Sequence, residues 1–135
     1  MNKKLIAAAV AVTFASVPSY GAEIVINNVD APGIGFNDPT PVTPVGGNAG
    51  TTLGEQRLIA YARALELWGN TLKSDATIVV QGSFAPLSCT ATGGTLAQAG
   101  ALQIFADFPN APLPGHWYGV ALANSIAGVD LTPGP

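Results

Sequence analysis

The chain is poor in the residues that usually carry chemistry. Its 135 residues include one histidine and one cysteine, and only 10% of them are charged. One imidazole cannot assemble a catalytic zinc site, which needs three protein ligands. A lone cysteine cannot close a disulfide within the chain. Beyond the adjacent Lys3 and Lys4, the basic residues are three scattered ones, Arg57, Arg63 and Lys73, so the electrostatic footprint expected of a DNA- or RNA-binding protein is missing and nucleic acid is not expected as a partner. Gly, Pro, Asn or Asp interrupts every apolar run after the first two dozen residues, well short of the roughly 20 residues needed to span a bilayer. What is abundant is punctuation, with 16 glycines and 11 prolines. That composition predicts short elements joined by ordered turns rather than a charged, disordered tail.

The amino terminus carries an address. Lys3 and Lys4 form a positive start, Leu5 to Phe14 an apolar run and Ser16 to Ala22 a small-residue stretch broken by Pro18, the pattern of a secretory signal peptide. Cleavage after Gly21 puts small Ser19 and Gly21 where the peptidase inspects the chain, whereas cleavage after Ala22 would put bulky Tyr20 there. The expected organisation is a signal peptide over residues 1–21 and a single domain over 22–135, exported to the periplasm or beyond the cell, with no membrane attachment after cleavage. The mature part keeps Arg57, Arg63 and Lys73 against eight acids. Its length suits one domain, or part of one.

Periodicity predicts a strand at 23–28, a long turn-rich segment at 31–50, a helix at 53–72 and a strand at 77–84. A third strand is expected at 102–108 and a short helix at 118–127. Thr52 followed by Glu55 is a capping box, in which each side chain satisfies a backbone N–H of the other end. Leu58, Ala62, Leu65 and Leu72 form the helix's apolar stripe, Tyr61 and Trp68 flank it as core aromatics, and Arg57, Arg63 and Glu66 fall on the remaining surface. Strand, helix, strand favours a right-handed crossover between parallel strands. The fold class is therefore α/β, with α+β the alternative, in the form of a βαβ unit whose one long helix packs on a small, mostly parallel sheet.

Candidate sites are few. Asp30, Asn37 and Asp38 offer oxygens to calcium but lack an EF-hand's alternating acids, and Asx-turn chemistry explains them more simply. Gly46 to Gly50 precedes a helix as a phosphate loop does, without the following Lys-Ser/Thr pair. Ser83 and Ser88 lack a nearby histidine and the glycines of a nucleophile elbow. His116, between Gly115 and Trp117, reads as a surface or structural histidine. Cys89, odd in an oxidising compartment, implies a disulfide partner outside the chain, a free thiol or a small buried hydrophobe. A nucleophilic role would need a base beside it.

Gly35 to Arg57, reading GFNDPTPVTPVGGNAGTTLGEQR, leads into a helix with Ala64, Leu65 and Trp68-Gly69, then Phe84-Ala85-Pro86-Leu87-Ser88-Cys89. Together with Trp117 to Asn124 and Gly128 to Leu131, this arrangement resembles the amino-terminal region of exported bacterial zinc-metallopeptidase-like proteins, which often also carry a protease-associated domain. The resemblance covers essentially the whole mature chain. It implies a zinc-binding His-Glu-x-x-His helix further downstream in the parent protein, and this sequence contains no such motif. No catalytic, cofactor or metal residue carries over. The resemblance implies an amino-terminal fragment, inactive alone, whose partner is the rest of the parent polypeptide. Zinc and a peptide or protein substrate belong to that parent. The alternative is a self-contained exported binding or structural module that recognises a partner through the long loop with Trp117 and Tyr118.

Overall fold

Ile24–Asn28 and Ile78–Gly82 each open with three β-branched residues and run extended as β1 and β2. The computed structural model describes residues 21–132, so all but the last residue of the expected signal peptide, and the final Pro133 to Pro135, lie outside the described residues. β1 and β2 pair in parallel, Ile24 opposite Ile78, Val25 opposite Val79 and Ile26 opposite Val80. A parallel pair cannot be joined by a hairpin. The crossover is supplied by α1, Leu53–Gly69, as the order of elements predicts, and the chain is a mixed α/β structure.

Alternation then sorts the strand residues. Ile26 lies with Phe36 and Tyr61 around Gly82, and Ile24 reaches Gly69 at the far end of α1, so the even-numbered positions face the helix. The odd-numbered Val25 and Val79 share the opposite face and are 39% and 59% exposed.

α1 is shorter than its periodicity predicts. It stops at Gly69, and the amides of Thr71 and Leu72 turn back to the Trp68 carbonyl. Its 17 residues span about 25 Å at 1.5 Å per residue. Three expectations for its surface are corrected. Trp68 is 59% exposed and Leu72 38% exposed rather than in the core, and Ala62 is exposed. A sheet only two strands wide covers α1 where Tyr61 meets Phe36, and no described element covers the same flank seven residues on. Arg57, expected on the surface, is half-buried.

The expected third strand shrinks to β3, Ile104–Phe105, and does not extend the β1–β2 sheet. It pairs antiparallel with β4, Tyr118–Gly119, which occupies the first two positions expected of the last helix. Asp107 with φ 53° and Asn110 with φ 66° leave the extended region directly after β3, which stops the strand. α2, Val120–Ala127, ends on Gly128 at φ 72°, the left-handed conformation that favours glycine there. Ser125 Oγ donates to the Lys73 carbonyl at 3.0 Å and ties α2 to the turn after α1. Among the described residues the buried apolar set is Ala22, Phe36, Phe108 and Ala123.

Candidate functional site

The carboxyl ends of parallel strands are where α/β proteins place ligands, and here the loop after β1 folds back over that end. Asp30 is its hub. Its Oδ2 accepts from the Phe36 amide at 2.7 Å and from the Phe84 amide at 2.9 Å, joining the exits of both strands. Asn37 Nδ2 donates to the Asp30 carbonyl at 2.7 Å, and Asn28 Nδ2 donates to Asn37 Oδ1 at 2.9 Å. Gly35 makes the geometry possible, since a Cβ there would stand 2.0 Å from Asp30 Oδ2 and its φ is +59°. Beneath the hub Phe36 meets Tyr61 and Phe84 edge to face, with centroids 5.5 Å and 6.0 Å apart.

Arg57 closes the cluster from α1. It donates to the Gly35 carbonyl at 2.7 Å and to Asp38 Oδ2 at 3.1 Å, and its guanidinium lies 4.4 Å from the centre of the Phe84 ring. Hydrogen bonds from Thr40, then the Arg57 guanidinium, hold the Asp38 carboxyl below its ordinary value.

The helix start is equally occupied. Leu53 N donates to the Thr40 carbonyl, Gly54 N to the Asp38 carbonyl and Glu55 N to Thr52 Oγ1, so donors that would otherwise be orphaned have partners. Both halves of the expected capping box are present. Amide and hydroxyl donors from Thr51, with the Thr52 amide, hold Glu55 below its ordinary value. Gly54 lets the loop lie this close, because a Cβ there would meet the Phe36 carbonyl oxygen at 2.5 Å. With these donors engaged, the start of α1 offers an anion little of what a phosphate-binding helix terminus supplies.

The polar groups of this end therefore bind one another. Of the oxygens considered for calcium, Asp30 Oδ2 and Asn37 Oδ1 accept from amide donors, and Asp38 Oδ1 accepts from the Thr40 amide two residues on, an Asx turn. Gly46 and Gly47 both have positive φ between bridged Val45 and Asn48, a hairpin turn of the type I′ kind rather than a phosphate cradle. Beyond an Asx-turn pattern around Asn28 and Asp30, no motif or spacing in the sequence marks the Asp30 hub, the half-buried Arg57 or the Phe36–Tyr61–Phe84 cluster.

Elsewhere, Cys89 is a free, exposed thiol whose sulfur lies 3.9 Å from the Thr90 carbonyl oxygen. The reading of it as a buried hydrophobe is thereby corrected: the segment around it makes one small bridge, to Gly94, and nothing packs over it. His116 is exposed, its Nδ1 3.0 Å from the Pro114 carbonyl oxygen. Ser83 and Ser88 are exposed, and no hydrogen bond among the described residues joins either to His116. Among the described residues no three His, Cys, Asp or Glu side chains are grouped to hold a metal, and no helix is long and apolar enough to cross a membrane.

A second concavity is an open groove of about 890 Å³ between β1 and the C-terminal half of α1, lined by Ile24, Ile26, Ala62, Leu65 and Glu66 among others. Fold and site together define a mixed α/β chain whose best-organised region is a structural clasp. No family model, curated protein or solved structure matches it.

Proposed function

We propose that the chain is the amino-terminal part of an exported zinc-metallopeptidase-like protein, supplying the first strands and a backing helix of a catalytic domain and none of its metal ligands. One observation carries the reading. Parallel strands are normally covered on both faces, yet among the described residues the face bearing Val25 and Val79 is left exposed while α1 covers the other. The groove beside β1 and the exposed Leu67 and Trp68 on α1 add to the apolar surface that further polypeptide would cover. The clasp at the strand ends makes the unit a scaffold, and the sequence resemblance supplies the class of parent.

The test is the isolated mature chain. It should bind an apolar dye, self-associate at micromolar concentration and hydrolyse no peptide when zinc is added. A monomer with a sharp, reversible unfolding transition and no dye binding would overturn the proposal. That outcome would favour the second reading, a self-contained exported binding module, for which the supporting observation is Trp117 standing 68% exposed beside exposed His116.

A further inference from the structure

The amide of Ala22 donates to two carbonyls at once, Gly69 O at 2.9 Å and Leu72 O at 3.0 Å. Those oxygens belong to the frayed end of α1, where backbone acceptors lack helical partners and the helix dipole is negative. Ala22 is only 7% exposed. The fit is close from both sides. A Cβ on Gly69 would meet the Ala22 carbonyl oxygen at 2.8 Å, and one on Gly21 would meet the Gly69 oxygen at 2.6 Å. Gly69 is a helical residue with no positive φ, so its lack of a side chain is explained by this approach and not by helix termination.

We propose that cleavage of the Gly21–Ala22 bond makes the α-amino group of Ala22 the C-terminal cap of α1, so that export processing completes the βαβ unit. The inference rests on the export reading of the first 21 residues. In the cleavage, catalysed by a signal peptidase, water adds its hydroxyl to the Gly21 carbonyl carbon and a proton to the Ala22 nitrogen as the peptide bond breaks. One shared N–H becomes an amine with two, and the proton released by the new Gly21 carboxyl makes it an ammonium with three. Each carbonyl then receives its own proton, and a full positive charge replaces a peptide dipole at the negative end of the helix.

The charged groups nearby balance one another, so the carbonyl acceptors and the helix dipole decide the outcome. Glu23 and Glu66 line the groove in which Ala22 sits, with Arg63 paired to Glu66 and exposed Lys73 following Leu72 in sequence. Burial opposes the charge, but removal of Gly21 frees one side of the nitrogen and weakens that opposition. The ammonium form is favoured, and the amine becomes a poor nucleophile.

The experiment begins with the exported protein, whose intact mass reports where it starts. A chain that keeps its first 21 residues overturns the export reading and this inference together, and a start at another nearby residue overturns this inference alone. With the Ala22 start in hand, acylation of the α-amino group at pH 8 is followed by mass spectrometry of the N-terminal peptide, folded and in urea, beside a chain that begins at Tyr20. The Ala22 amine is expected to react about fivefold more slowly folded than unfolded, the ratio that a rise of one pK unit makes at pH 8, and the Tyr20 amine equally in both. Gly69→Ala in the Ala22-start chain should abolish the difference. Equal rates for the Ala22 amine folded and unfolded overturn the cap while leaving the export reading intact.

Discussion

In residues 22–84 a loop rich in proline and glycine is tied at both ends by side chains that reach far along the sequence, whereas the side-chain ties of residues 88–132 are short-range apart from Ser125 to Lys73. Asp30 bonds an amide 54 positions away, and Arg57 reaches back to Gly35 and Asp38. In the second region the pairs are Phe108 with Tyr118, and Asp130 with Asn124 and Thr132. From Ser88 to Leu102 every residue is exposed, Leu96 at 97%. Proline and glycine content does not make a loop loose or firm. What matters is whether buried acceptors and close backbone approaches hold it.

Matched substitutions sharpen that contrast. The largest effect is expected from Asp30→Ala, which strands two amides, at about 3 kcal/mol, against a smaller loss for the exposed Asp130→Ala; urea unfolding of each variant reads the difference. Next is Gly35→Ala, where a Cβ would overlap Asp30 and φ is +59°. It should cost about 2 kcal/mol or more. Gly115→Ala, at φ +70° in open space, should cost only the left-handed penalty of about 1 kcal/mol, and thermal melts of the pair would break the comparison if the two values coincided. Thr52→Ala removes one member of the capping box and is expected to cost about 1 kcal/mol, visible as reduced helical circular dichroism before unfolding.

The smallest effect is that of acid. Asp38, Glu55 and Asp130 are all held below their ordinary values, so each binds its proton less readily folded than unfolded. Their stabilisation is complete above the ordinary carboxylate range near pH 4 and is lost as pH falls through the lowered values. A pH titration of the unfolding midpoint should be flat from pH 5 to 7 and fall below about pH 4. Glu55 and Asp130 are exposed and Asp38 is half-buried, which keeps the change small.

The legible parts of the fold were those set by local chemistry. The capping box at Thr52 and Glu55, the β-branched runs of β1 and β2, and Gly128 closing α2 each depend on neighbours a few residues away. Trp68 was misjudged because its helical position says which face it occupies and not how wide the opposing sheet is. The third strand failed for a related reason: an apolar run at 102–108 cannot announce that Asp107 turns into the left-handed region. Asp30 and Arg57 were missed as tying residues because their partners come from distant segments, where no spacing rule reaches.

Amide hydrogen exchange of the chain starting at Ala22 tests the contrast most directly. Strong protection is expected in Ile24–Asn28, Leu53–Gly69 and Ile78–Gly82, and also at the loop amides of Phe36 and Phe84 that Asp30 holds, with exchange close to the unchained rate from Ser88 to Leu102. Uniform protection across both regions, or rapid exchange at Phe36 and Phe84, would contradict the account.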